Sequence, residues 1–276
     1  MVGILLIANL FIWQAEIRAG EHSGFLTIAF LDVGQGDAIY IEGPTGNQVL
    51  VDGGPSGQVL SELSKIIPFS DKTIDMLVVT NPDQDHFAGF LDILNIYDVS
   101  YMLEPGTRTP NGMYKELKKI LSEKEIKTTI AQRGMIIDLG GGAYLKIQFP
   151  DRVASNMSRN DGSIVMRLEY GSTSVMLTGD TTKIIEEYLV NKYPNELDSD
   201  ILKVAHHGSK TSTSRNFVNA VSPDIAVISL GESNSYGHPH EEVLHTLSAA
   251  DVDTLRTDID HTIIFVSDGE QFYRKN

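Results

Sequence analysis

Short apolar runs that end in clustered aspartates and histidines constrain this chain more tightly than any other feature of its sequence. Asp75 to Thr80 reads as a buried strand and runs straight into Asn81-Pro82-Asp83-Gln84-Asp85-His86. Leu177-Thr178-Gly179-Asp180 closes a second run, and Lys203 to Ala205 leads a third into His206-His207-Gly208. His238-Pro239-His240 then precedes a helical stretch. Three strand ends and one loop thus gather His86, His206, His207, His238 and His240, out of eight histidines in all. Aligned strands bring such ends to one sheet edge, where α/β proteins collect functional groups.

The remaining pattern sets the fold class. Phe25 to Val33, Asp37 to Glu42 and Gln48 to Asp52 alternate apolar and polar residues and read as successive strands. Gly34-Gln35-Gly36 and Gly43 to Asn47 separate them as turns. Helical spacing marks Gln58 to Ile67, Phe87 to Tyr97, Met113 to Lys124, Thr181 to Asn191 and Glu241 to Ala250. Further strands are predicted at Ala143 to Phe149, Ile164 to Tyr170, Thr173 to Leu177, Asp200 to Ala205, Ile225 to Leu230, Thr262 to Val266 and Gln271 to Tyr273. Strands lead and single helices punctuate both halves, which predicts an α/β fold of two face-to-face sheets with helices outside. No linker divides residues 25–276, so they are expected to form one domain.

Residues 1–24 differ in character. Val2 to Trp13 is apolar except for Asn9 and gives way to a polar stretch from Arg18 to Gly24. The run is shorter than the roughly 20 residues of a spanning helix. It also lacks a preceding Lys or Arg and a good cleavage site. The expectation is a membrane anchor plus linker holding the domain outside the membrane, with a secreted form and a buried helix as alternatives. The absence of cysteine excludes disulfides, zinc ribbons and thiol catalysis. A net charge of −15 disfavours broad binding to phosphate backbones.

Aspartate and histidine together supply oxygen and nitrogen donors suited to zinc or manganese. Plain helix capping competes at Asp83, Asp85 and Asp180, each of which stands before a helix. Repetition of the pattern at three strand ends favours a metal site. Asp52 ends its strand in a Gly-rich turn, where support of a metal ligand competes with turn chemistry. Asp32 and Asp37 read as hairpin residues. Gly140-Gly141-Gly142 lacks the Lys and Ser/Thr of a phosphate loop. His240 reads as a cap or a solvent-facing ring, and His22, His245 and His261 belong to no cluster.

These motifs resemble the metallo-β-lactamase superfamily, and within it the extracellular domain of ComEC-type DNA-uptake proteins. The resemblance rests on F-L-D-V-G-Q-G-D-A (30–38), V-D-G-G (51–54), T-N-P-D-Q-D-H-F-A-G (80–89), L-T-G-D (177–180), H-H-G-S-K (206–210) and Y-G-H-P (236–239). It implies a four-layer αββα sandwich and a metal-dependent hydrolase, most simply a phosphodiesterase or nuclease. The implied partners are a small-molecule or phosphodiester substrate, DNA included. The resemblance implies Asp85 and His86 as second-metal ligands, Asp180 as the bridging carboxylate, and His206 or His207 as the last histidine. Strand alternation would aim only one of that pair at the metal. Asn81, Asp83 and Asn160 fall at the first-metal positions, and the two amides are weak donors where imidazoles are usual. One or two ions, zinc or manganese, are therefore expected. A divalent ion would lower the pKa of water to about 7 and make hydroxide available. Asp83 or Asp85 would accept the proton of that nucleophile, and His238 would bind or protonate the leaving group. The alternative is a surface-binding module with a degenerate first site.

Overall fold

The computed structural model describes residues 24–275. The anchor and linker expected over residues 1–24 lie outside the described residues, Gly24 excepted. The strands are β1 Leu26–Phe30, β2 Ile39–Glu42, β3 Gln48–Val51, β4 Thr73–Val78, β5 Asp98–Glu104, β6 Lys127–Ile130, β7 Ile136–Gly140, β8 Ala143–Phe149, β9 Val165–Tyr170, β10 Thr173–Leu177, β11 Ile201–Lys203, β12 Ile225–Ile228, β13 Asp253–Arg256, β14 Ile263–Ser267 and β15 Phe272–Lys275. They form two sheets, ordered β15-β14-β1-β2-β3-β4-β5-β6 and β13-β12-β11-β10-β9-β8-β7. In each sheet an antiparallel half passes into a parallel one, at β3–β4 and at β10–β11.

Alternation decides which side chains meet. Ile28 and Phe30 of β1 join Leu145, Met166, Leu168, Val175 and Leu177 in one apolar cluster between the sheets. Ala29, one residue out of phase, belongs to a second cluster with helix residues Val59, Phe87, Phe90 and Leu117. Met176, out of phase with Val175, joins Leu189, Phe217 and Leu247 in a third. The layers are thus αββα. The helices of the first sheet are α1 Gln58–Leu63, α2 Gln84–Phe87, α3 Phe90–Ile96 and α4 Gly112–Glu123. Those of the second half are α5 Lys183–Lys192, α6 Arg215–Val221, α7 Glu241–Ser248 and α8 Thr257–Asp260.

Two local departures matter for function. The single helix expected over Phe87 to Tyr97 is the pair α2 and α3, which begins three residues earlier. The strand expected over Asp200 to Ala205 ends at Lys203, and the chain turns before its two histidines. The α2–α3 corner is seated on the turn after β3. Gly53 N donates to His86 O (2.5 Å) and Gly89 N to Gly54 O (3.1 Å). A Cβ on Gly89 would lie 2.0 Å from Gly53 O and 2.7 Å from Ser56 O, so glycine permits this approach. Gly89→Ala is expected to destabilise the chain by about 1–3 kcal/mol through overpacking. Gly112→Ala is the control, since nothing lies within 4 Å of its Cβ position. Urea unfolding of both variants checks this; equal midpoints would contradict it.

Candidate metal centre

Four strand ends converge at one mouth of the sandwich. Asp52 follows β3 with φ 57°. Its carboxylate accepts from Thr80 N (2.7 Å), Thr80 Oγ1 (2.6 Å) and His86 Nδ1 (2.8 Å). A carboxylate partner fixes the proton of His86 on Nδ1 and leaves a lone pair on Nε2. Asp52 therefore orients His86 from behind.

His206 and His207 stand on backbone with φ 52° and 54°, a left-handed pair that sharply redirects the chain after β11. Strand alternation consequently does not separate them. His207 Nε2 lies 3.7 Å from Asp180 Oδ1, and His206 Nε2 lies 3.8 Å from Asp180 Oδ2. They differ in surroundings. His207 is buried, and its Nδ1 donates to Ser229 O (3.0 Å), so its Nε2 also carries a lone pair. The His206 side chain is 25 % exposed and bonds Thr211 Oγ1 through Nδ1 (3.0 Å).

Donor chemistry fits a cation at the second-metal position. His86 Nε2 lies 3.1 Å from Asp180 Oδ2, and His207 Nε2 lies 3.3 Å from Asp85 Oδ2. His86 Nε2, His207 Nε2 and Asp180 Oδ1 are buried without a hydrogen-bond partner. The spacings match the edge of about 3.4 Å expected of a tetrahedron with ligands near 2.1 Å from zinc. Burial lowers the basicity of His207, but Asp180 and Asp37 outweigh it and lift its pKa to about 10. Burial acts the same way on His86, and Asp180 and Asp52 again prevail. Burial raises Asp180, and His86 and His207 more than reverse it. The cluster favours positive charge at its centre.

The first-metal position does not fit. Asn81 Nδ2 donates to Asn160 Oδ1 (2.9 Å), and Asn81 Oδ1 accepts from Asp83 N (3.2 Å). Asp83 is at the N-cap of α2, yet its side chain makes no capping bond and pairs with Arg159 Nε instead. Among the described residues the compact His and carboxylate donor groups are Asp85-His86-His207, Asp37-Asp180-His207 and Asp37-Asp52-His86, and Asp83 and His206 stand outside them.

Asp37 belongs to the centre although its hairpin position hid it. It is buried, accepts a hydrogen bond from the buried Lys203 Nζ through Oδ2 (2.9 Å) within an ion pair that also brings Nζ 2.8 Å from Oδ1, and lies 3.3 Å from His207 Nδ1. Over the centre lies a cavity of about 350 Å³ lined by Gln35, Asp85, Asp180, His207, Tyr236 and His238 among others. A neighbouring cavity of about 430 Å³, lined by Arg108, Asn160, Thr182 and Thr211, shares Asp83, Arg159 and His206 with it. Burial and then the rings of His207 and His206 push His238 down to about 4. Its Nδ1 is buried without a hydrogen-bond partner, and these surroundings favour the neutral ring. His240 sits at the N-cap of α7 and accepts from Lys210 N (3.3 Å) through Nδ1.

The metallo-beta-lactamase superfamily model matches residues 31–232. The chain belongs to that superfamily. Its fold binds divalent metals, and its members are typically metal-dependent hydrolases. The chain is 31 % identical over 273 residues to ComE operon protein 3 of Bacillus subtilis, covering 92 % of this chain and 34 % of the relative. It is 31 % identical over 267 residues to competence protein ComA of Neisseria gonorrhoeae, covering 95 % and 35 %. The chain thus spans about a third of the length of these relatives. Among solved structures, a metallo hydrolase from Ignicoccus hospitalis matches with a TM-score of 0.55 at 14 % identity, covering 87 % of this chain and 98 % of that one. CmlA, a diiron beta-hydroxylase from Streptomyces venezuelae, matches with 0.57 at 14 %, covering 91 % and 54 %. Both show the fold alone.

A pH dependence follows for the metal-free chain. The His207 pKa stands above its ordinary 6.5, at about 10, so the fold prefers the charged ring. That contribution is complete below pH 6.5 and is lost as pH rises towards 10. Thermal melts of chelator-treated protein are expected to fall across this window. Zinc, taking the proton's place, is expected to flatten the decline; identical slopes with and without zinc would contradict this.

Proposed function

We propose that this chain is a metal-dependent phosphodiester hydrolase acting on a DNA strand outside the cytoplasmic membrane. One observation carries the reading. The free lone pairs of His86 and His207 meet the Asp85 and Asp180 carboxylates beneath a cavity lined by Arg159, and the adjoining cavity, which shares Arg159, adds Arg108. Two guanidiniums beside a cation site suit a phosphate anion, even in a chain of net charge −15. The competence proteins among the relatives motivate the choice of DNA. The extracytoplasmic location rests on them and on the apolar run Val2 to Trp13; no helix among the described residues is long and apolar enough to cross a membrane.

His86, His207, Asp85 and Asp180 would hold one divalent cation, zinc or manganese. Such an ion lowers the pKa of water and offsets the charge of a phosphate. Asp52 and Ser229 O keep both rings in the tautomer that presents Nε2. The Asp85 side chain, 34 % exposed to the groove, takes the proton of the attacking water. The water oxygen bonds to phosphorus, the phosphorus–ester bond breaks, and the departing oxygen is protonated from solvent. Tyr236 stacks on His238 (ring centroids 5.7 Å apart, 23° between planes) and offers a flat wall to a sugar or base.

Metal-stripped protein reloaded with Zn²⁺ or Mn²⁺ is expected to cleave bis-p-nitrophenyl phosphate and end-labelled single-stranded DNA only when loaded. Asp180→Ala is expected to lose bound metal and turnover together. Asp52→Ala is expected to weaken metal binding by ~10–100-fold. Full metal loading with no cleavage of either substrate would overturn the hydrolase and leave a binding module.

A further inference from the structure

We infer that Arg159 takes the place of the first metal ion, so that the centre holds one divalent cation and grips a phosphate with arginine on its other side. This deepens the phosphodiesterase reading and rests on it for the identity of the anion. Three observations converge. The amide oxygens of Asn81 and Asn160 already accept hydrogen bonds, from Asp83 N and Asn81 Nδ2. Asp83, the carboxylate of the first-metal position, is ion-paired with Arg159. Arg159 also lines both cavities, the one over the His86–His207 donors and the one beside it.

The pairing leaves Arg159 a usable face. Only its Nε is engaged by Asp83, so both terminal nitrogens have no partner among the described residues. Arg108, with no ion pair among the described residues, lines the same cavity with the Thr182 and Thr211 side chains. A guanidinium anchored through Nε presents its remaining donors as a planar fork that matches two oxygens of a phosphate. A second divalent ion beside it would meet like charge and a carboxylate already neutralised. Arginine thus supplies positive charge to the phosphate where an imidazole-bound ion would otherwise do so.

The test uses the full chain with two probes. Mn²⁺ alone is titrated by equilibrium dialysis and electron paramagnetic resonance. Inorganic phosphate is titrated into Mn²⁺-loaded protein by calorimetry. Wild type is expected to bind one Mn²⁺ per chain with an uncoupled six-line spectrum. Arg159→Ala is expected to keep at least that one tightly bound Mn²⁺, whose ligands it does not touch, and its melting temperature, because the side chain is 42 % exposed. Its phosphate affinity is expected to fall at least tenfold, with Arg159→Lys recovering only part of the loss. Two Mn²⁺ per wild-type chain with exchange coupling would overturn the inference. So would unchanged phosphate affinity in Arg159→Ala. A chain with one Mn²⁺ and arginine-dependent phosphate binding that cleaves no phosphodiester would sink the hydrolase and leave this inference standing.

Discussion

Three carboxylates, Asp37, Asp52 and Asp180, are buried together at the open end of the two sheets, and the arrangement around them serves to neutralise them. An isolated buried carboxylate is penalised by several kcal/mol, so each needs a cation or donors close by. Lys203 answers Asp37. It shares the inward phase of Ile201 on β11, where an apolar residue would normally stand, and it is wholly buried. Removing either partner would leave the other charge stranded, at about 3–5 kcal/mol. His86 stands between Asp52 and Asp180, and His207 between Asp37 and the Asp85–Asp180 pair. Both rings donate Nδ1–H away from the centre, so two lone pairs point at carboxylates. Only protons or a metal ion resolve that conflict, and cation binding is therefore built into the packing.

Three of the nine non-glycine residues at positive φ among the described residues stand at this centre. Asp52, His206 and His207 all lie at positive φ, which costs roughly 1–3 kcal/mol per residue unless the surroundings enforce it. The enforcement is visible. His206 N donates to Gly179 O (3.1 Å), Ser209 N to His206 O (2.8 Å) and Ser212 Oγ to Ala205 O (2.8 Å). Thr178 Oγ1 donates to Lys203 O (2.6 Å), which ties the Asp180 turn to the histidine turn. The buried Glu186 carboxylate accepts from Thr213 N and Ser214 N and fixes the loop beyond. The geometry of the centre is thus set before any ion arrives.

Much of this was legible in the sequence, for a physical reason. β10 and β11 are buried along their length and β4 at its C-terminal end, so their apolar runs stood out, and the polar residues that follow with them. Asp85, His86, Asp180 and the His206–His207 pair stood out because they cluster where apolar runs stop, but the sequence did not tell the two histidines apart. What was hidden followed from long-range pairing. Asp37 sits in a hairpin turn, and only its partner on β11, far along the chain, reveals a buried charge. Lys203 inside an apolar strand was the available signal. Arg159 and Arg108 lie in irregular segments without periodicity, and their role depends on Asp83 being close in space. The strands β5 (DVSYMLE), β6 (KTTI) and β7 (IIDLG) escaped because they are partly exposed and short of apolar alternation. The left-handed histidine pair was equally invisible, since the run before it reads as a strand continuing to Ala205.

One cation held between His86, His207, Asp85 and Asp180, with Arg159 in the neighbouring position, leaves a signature that diffraction reads. Anomalous diffraction from crystals grown with excess zinc, recorded above and below the zinc edge, tests it most directly. One strong peak per chain is expected, about 2.0–2.1 Å from His86 Nε2 and His207 Nε2, and none beside Asp83. Two peaks of equal height, or a peak ligated by Asn81 and Asp83 with Arg159 swung away, would contradict it.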